Sequence, residues 1–274
     1  MASITIGPGI TFGQGITIST IQVGFYLSLD RTASTFDSGI ITWDQITGGT
    51  GIVTSGLLLN LDATKSSSYP GSGTTWTDLS SNADNGTLVG SPTYTASPGY
   101  FTLGVGKYAS TGVINSALTA ATFISWIYPT QTQNGYTGII FNRNGYGGAT
   151  AYATGMDLYT SNSVGYHWND NGATYGWNSG LYAPNNAWSM IAITVNSTTA
   201  TAYLCQASGI TTATNTTSHT STLSGLSFYV GVEPYDTTGR AFVGRISQAL
   251  VYNTTLSSTD ITQNFSATRS IYGV

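Results

Sequence analysis

The sequence predicts an all-β protein: an antiparallel β-sandwich of the jelly-roll kind from about Gly56 to the C-terminus, one short C-terminal helix, and a glycine-rich N-terminal β arm. Three observations predict it. The 274 residues include 34 glycines without a Gly-X-Y period and only 7% charged residues, a composition suited to short strands and tight turns. Period-two alternation, as in Ile191-Ala-Ile-Thr-Val, recurs at the spacing of a sandwich. Helix-start signals occur in one stretch near the end.

Taken in order, the strand candidates are Leu57 to Asp62, Tyr100 to Gly104, Thr122 to Tyr128, Gly138 to Asn142, Met156 to Tyr159, Val164 to Trp168, Trp188 to Asn196, Thr199 to Cys205, Ser227 to Val232 and Phe242 to Asn253. The helix is expected after Ser257, placed as N-cap with Asp260 three residues on. Leu256 and Ile261 form a hydrophobic staple, and Ile261 and Phe265 share the face that docks on the sandwich.

Before Gly56 the chain reads as two further segments, an arm over residues 1–20 and a connector or docking segment over 21–55. The arm repeats every six residues, Ile4-Thr-Ile-Gly-Pro-Gly, Ile10-Thr-Phe-Gly-Gln-Gly and Ile16-Thr-Ile-Ser. Alternation sets Ile4 with Ile6, Ile10 with Phe12, and Ile16 with Ile18 on one side of short strands. Units this small cannot bury that face alone, so the arm is expected to be held either by the chain's own body or, the favoured reading, by a neighbouring chain to whose sheet it adds a strand.

Charge and length exclude several classes. The net charge is −4 and the seven basic residues are scattered singly, so no phosphate-binding stripe exists and nucleic acid is not an expected partner. No apolar run reaches the roughly 18 residues of a membrane span, and Met1 to Gly15 lacks a secretory leader pattern. Cys205 is the single cysteine and reads as a buried thiol.

Several segments together resemble the laminin-G-like family of the concanavalin A-like superfamily, whose modules occur in phage structural proteins and bacterial surface proteins. They are Gly56-Leu-Leu-Leu-Asn-Leu-Asp-Ala, the loop from Ser68 through Trp76 to Ser80, Asn85-Gly-Thr-Leu, Phe123-Ile-Ser-Trp-Ile-Tyr-Pro, Trp188-Ser-Met-Ile-Ala-Ile-Thr-Val, and Phe242 to Ser258. The resemblance implies a concanavalin A-like sandwich. With the glycine-rich leader it implies a virion structural protein, a head decoration, fibre or tail component on the outer surface of a particle. Its expected partners are other virion proteins through the arm, copies of itself (a trimer being one such assembly) and host surface glycans. The alternative is a free, extracellular carbohydrate-binding lectin module; a glycoside hydrolase ranks below both.

Catalysis is not expected. Glucanases of this superfamily carry two or three acidic residues on one strand, since a retaining mechanism needs two carboxyls about 5 Å apart. This chain has one glutamate, Glu233, with Asp236 as its acidic neighbour. His167 and His219 lack zinc-ligand spacing. No cofactor is expected except calcium, for which Asp78, Asn82 and Asp84, with Asp62, Asn85, Asn169, Asp170 and Asn171, offer oxygen ligands; the same residue types also form ordinary turns.

The richest stretch for ligand contact is Val164 to Asn178. If Asn171-Gly172 forms a type I′ turn, Trp168 faces Tyr175 and Tyr166 faces Trp177. The four rings then form a platform for sugar stacking, with Asn169, Asp170 and Asn178 as hydrogen-bonding neighbours. The other reading puts this face in the core between the sheets.

Overall fold

The computed structural model describes residues 34–36, 39–41, 51–114, 116–144 and 152–274. The chain divides into two compact units, Met1–Thr50 and Gly51–Val274. In the first, β1 (Ser34–Phe36) pairs antiparallel with β2 (Gly39–Ile41), Ser34 opposite Ile41. The arm residues Ile4, Ile6, Ile10, Phe12, Ile16 and Ile18 lie outside the described residues.

The second unit is a two-sheet sandwich, as the alternation predicts. Its strands are β3 (Leu57–Asp62), β4 (Thr75–Trp76), β5 (Gly86–Val89), β6 (Thr93–Thr95), β7 (Tyr100–Leu103), β8 (Tyr108–Ile114), β9 (Ala121–Pro129), β10 (Thr137–Asn144), β11 (Tyr152–Leu158) and β12 (Val164–His167). A one-turn helix α1 (Gly172–Tyr175) follows, then β13 (Ser189–Val195), β14 (Ala200–Gln206), β15 (Gly209–Asn215), β16 (Leu226–Val230), β17 (Gly244–Tyr252) and helix α2 (Ser258–Tyr272). One sheet has the order β12-β11-β10-β16-β8-β5-β4; the other runs β15-β14-β13-β9-β17-β7-β6, with β3 also on β17.

All ten predicted strands form. Sequence reading misses β4, β5, β6, β8 and β15, which are two to four residues long or built from Thr, Ser, Gly and Ala. The edge strand β15, Gly-Ile-Thr-Thr-Ala-Thr-Asn, has no fully buried residue, so no apolar period marks it.

The central strands are buried on both faces. Phe123 and Ile127 of β9, with Ile191, Ile193 and Val195 of β13, enter the core between the sheets. Their alternates, Ile124, Trp126, Met190 and Ala192, form a second core under α2 with Ile261, Phe265 and Tyr272. Two-sided burial explains why these strands read as nearly continuous apolar runs. Ile52 and Val53 also pack on this second core, and the Val53 amide donates to Asn264 Oδ1 at 2.7 Å.

Helix α2 begins as predicted. The Ser257 side chain accepts from the Asp260 amide, and the Asp260 carboxylate accepts from the Ser257 amide. It ends at Gly273, which takes the left-handed conformation with φ 71°. Trp126 fixes the docked face: Tyr272 and Phe265 stack on it with centroids at 4.1 and 5.7 Å, and its Nε1 donates to Thr268 Oγ1 at 2.8 Å.

Phe265→Ala removes a ring from this second core and is expected to lower unfolding free energy by about 3–5 kcal/mol; Ser257→Ala loses the cap alone and costs about 1 kcal/mol. Urea unfolding of both variants measures the two values, and equal losses would contradict this assignment of the helix contacts.

Candidate functional site

Strands β10, β11 and β12 send one set of side chains into the core and the alternate set outward. Met156, Leu158, Val164 and Tyr166 face the core. Asp157 lies opposite Gly165, and Gly155 opposite both Phe141 and His167, so Phe141, Arg143, Asp157 and His167 share the outer face. Glycine keeps that face low. A Cβ on Gly155, at φ 144°, would meet the Ile140 carbonyl oxygen at 2.2 Å, and one on Gly165 would meet Asp157 Oδ1 at 2.5 Å.

Two further segments fold over this face. The loop from Gly231 to Val243 brings Glu233, Tyr235 and Arg240, held by the Gly138 amide donating to the Arg240 carbonyl. After β12, Asn169 and Asp170 take left-handed conformations at φ 50° and 53°, which Asn and Asp tolerate. The Asp170 amide then donates to the Ala153 carbonyl on β11 at 3.0 Å.

The result is a charged cluster under tyrosine rings. Glu233 is fully buried, and its two oxygens accept from Arg143 Nε at 2.5 Å and Arg240 Nη1 at 2.6 Å. Arg143 Nη1 also lies 3.7 Å from Asp170 Oδ2. His167 sits between two carboxylates, Nε2 at 3.1 Å from Asp157 Oδ2 and Nδ1 at 3.7 Å from Asp170 Oδ1. Neither nitrogen has an aligned hydrogen-bond partner, so these are charge contacts. Arg240 lies over Tyr136 and Tyr235 at 4.8 and 4.7 Å, and Arg143 over Tyr235 at 5.2 Å. Tyr175 stacks on His167 at 5.3 Å, and Tyr136 meets Tyr159 edge-on at 5.4 Å. Tyr235 is 56% exposed and the Asp170 side chain 38%, so these two form the solvent side.

The cluster polarises its members. Burial alone would lower the His167 pKa, but its contacts with Asp157 and Asp170 and the charge of Glu233 outweigh burial and raise it. The His167 contact holds the Asp170 carboxyl below its ordinary range, burial opposes, and Arg143 adds to the lowering.

The ring platform read from the sequence does not form, because the turn differs. Asn171 caps α1, its Oδ1 accepting from the Ala173 amide at 3.0 Å, and this turn of helix replaces the type I′ hairpin. Tyr166 and Trp168 are 1% exposed in the core between the sheets, where the Tyr166 hydroxyl meets His219 Nε2 at 2.8 Å. Trp177 packs half-buried against that core. Tyr175 leaves them for the outer face, joining Asp170 in the cluster. Asn169 Nδ2 donates to Ser221 Oγ at 2.8 Å, and Asn178 Oδ1 accepts from Ser163 Oγ at 2.7 Å.

Spacing along the sequence does not join Arg143, Asp157, His167, Arg240, Tyr136, Tyr159 and Tyr235 into a site, and it offers Glu233 only with the neighbouring Asp236. The signal for one of them was present: if Tyr166 and Trp168 point inward, His167 must point out.

Of the calcium candidates, Asp78 is buried and accepts from the amides of Asn60, Ser80 and Asp84 and from Ser80 Oγ, at 2.6–2.9 Å. Asn82 Nδ2 donates to the Leu58 carbonyl at 2.8 Å. Burial and the neighbouring Asp78 raise the Asp84 pKa.

A raised pKa in the folded state adds stability that is complete below the unfolded histidine pKa of about 6.5 and is lost as pH rises through the folded value. His219, whose pKa burial lowers, acts in the opposite sense, so the His167 contribution is read as a difference. Wild type minus His167→Gln in urea unfolding free energy is expected to shrink as pH rises from about 6 to 9; a constant difference would refute the charge contacts.

The fold and cluster can be set beside known proteins. No curated protein sequence matches the chain. Among solved structures it is similar to domain 4 of AbnA, a GH43 extracellular arabinanase from Geobacillus stearothermophilus in complex with arabinotriose. Identity is 15% and the TM-score 0.51, covering 78% of this chain and 100% of that one. It is also similar to Trypanosoma rangeli sialidase in complex with sialic acid, with 12% identity, TM-score 0.56, 88% of this chain and 36% of that one. A GH54 α-L-arabinofuranosidase soaked with 4-nitrophenyl α-L-arabinofuranoside matches at 12% identity and TM-score 0.51, over 73% of this chain and 50% of that one. This chain therefore spans about a third of the sialidase and half of the arabinofuranosidase.

At these identities the likeness carries the fold. These structures belong to glycoside hydrolases and not to particle proteins, which corrects the expectation of a virion structural protein. The expectation that the chain is not an enzyme is corrected by the same finding. It rested on the spacing of acidic residues along the sequence, whereas the fold gathers Asp157, Asp170 and Glu233 around Arg143 and His167. The family model described as the concanavalin A-like lectin/glucanases superfamily matches residues 103–262, more than half of the chain, and with the two-sheet architecture this establishes that the chain belongs to that superfamily.

Proposed function

We propose that this chain binds oligosaccharide on the outer face of its seven-stranded sheet, as a carbohydrate-active domain of the kind found in glycoside hydrolases. The observation that carries this reading is the gathering of Tyr136, Tyr159, Tyr175 and Tyr235 around Arg240 and His167, with Asp170 on the same imidazole. A sugar ring offers an apolar C–H face bordered by hydroxyls. Tyrosine rings beside a carboxylate and a guanidinium match both features. The arabinotriose held by the similar arabinanase domain supports a short oligosaccharide as ligand.

Cleavage of the bound sugar is a second reading, favoured by the carboxylates gathered around His167 and Arg143. Glu233 and Asp157 are sealed from solvent. Asp170 reaches solvent and is held ionised, so it is the group that could act as base or nucleophile on a glycosidic bond.

Titration calorimetry with arabinotriose and other short oligosaccharides tests the first reading. Tyr235→Ala is expected to weaken binding by about threefold to tenfold, the loss of one ring contact worth 0.5–1.5 kcal/mol; unchanged affinity would remove this face as the site. Release of reducing ends from the same oligosaccharides tests the second. Asp170→Asn should abolish release while the variant stays folded, and release that persists in it would exclude Asp170 from the chemistry.

A further inference from the structure

We infer that the tyrosine-ringed cluster selects uncharged oligosaccharides and discriminates against acidic ones. The inference rests on the oligosaccharide reading of the same cluster and adds the class of sugar.

Two guanidinium groups and His167 face three carboxylates, so the cluster has no net positive charge in either state of the imidazole. Arg143 has a side chain only 6% exposed and directs Nε at Glu233 and Nη1 at Asp170. Arg240 directs Nη1 at Glu233 and lies over the rings of Tyr136 and Tyr235. Each cation is therefore already neutralised by a carboxylate within the protein.

Among the described residues no other lysine or arginine forms an ion pair with these carboxylates. Arg245 lies over Tyr100 and Tyr128 beside the other sheet, and Arg269 belongs to α2.

The most exposed charge of the cluster is negative, the Asp170 side chain being 38% exposed against 23% for Arg240. Asp170 is the more exposed partner in its contacts with Arg143 and His167, at 38% against 6% and 3%. A sugar carboxylate would approach this like charge, with the nearest exposed guanidinium, Arg240, already neutralised by Glu233, and juxtaposed like charges are strongly disfavoured at a binding surface. A neutral sugar meets the same group as an acceptor for its hydroxyls and the Tyr235 ring as an apolar surface. The sialic acid bound by the sialidase of similar fold is thus the wrong charge class for this cluster.

The experiment is calorimetric titration of the full chain with two sets of probes. Arabinotriose, cellotriose and lactose are neutral; 3′-sialyllactose and trigalacturonic acid are acidic. At least one neutral probe is expected to bind, with both acidic ones weaker by about tenfold or more. Asp170→Asn, altered at the exposed rim, should narrow that ratio toward the acidic probes. Glu233→Gln should narrow it further by removing the negative charge that neutralises Arg143 and Arg240, provided circular dichroism shows it folded. Acidic probes binding as tightly as neutral ones, or a ratio unmoved in Asp170→Asn, would overturn the selectivity while the binding reading stands. No binding by any probe would remove the binding reading and this inference together.

Discussion

The sandwich depends on one constraint: its central strands are buried on both faces, so each sheet needs a cover as well as a partner. The inner faces meet each other and satisfy the ordinary hydrophobic requirement. The outer faces are covered differently. Helix α2 lays Ile261, Phe265 and Tyr272 over Trp126 and its neighbours, an apolar cover on an apolar face. The seven-stranded sheet is covered at β10 to β12 by loops carrying charge.

A polar cover imposes its own rule, because a buried charge without a partner is far more costly than one that is paired. Glu233 has no exposed surface and takes a guanidinium on each oxygen. Through Arg240 its loop is tied back on itself, and through Arg143 to strand β10. Pairs of this kind add little net stability compared with well-packed apolar groups, yet losing one partner is severe. Their effect here is to fix how two loops lie on the sheet, and with that which groups remain at the solvent edge. Asp170 and Tyr235 form that edge.

This arrangement also explains why linear spacing misjudged the chemistry. Asp157 lies on β11, Asp170 just beyond β12 and Glu233 after β16. Strands β11 and β12 are neighbours in the sheet, and β16 lies beside β10 on the other side of β11. A search for acidic residues on one strand therefore finds nothing, although the sheet brings Asp157 and Asp170 to His167, and Asp170 and Glu233 to Arg143.

The sequence by itself determined what depends on local periodicity and caps. Alternation marked the ten strands with apolar residues, and Ser257 with Asp260 marked the start of α2, since both signals lie within a few residues of one another. It also held the inward placement of Tyr166 and Trp168 as one of two readings, because period two fixes that alternate residues separate but not which set faces inward. Only the tertiary structure decided the rest. Asn171 chose a helical cap over a hairpin turn, which sent Tyr175 to the opposite face from Trp168. The site was assembled from segments distant in sequence, because burying charge requires partners and the sheet order determines which ones lie within reach.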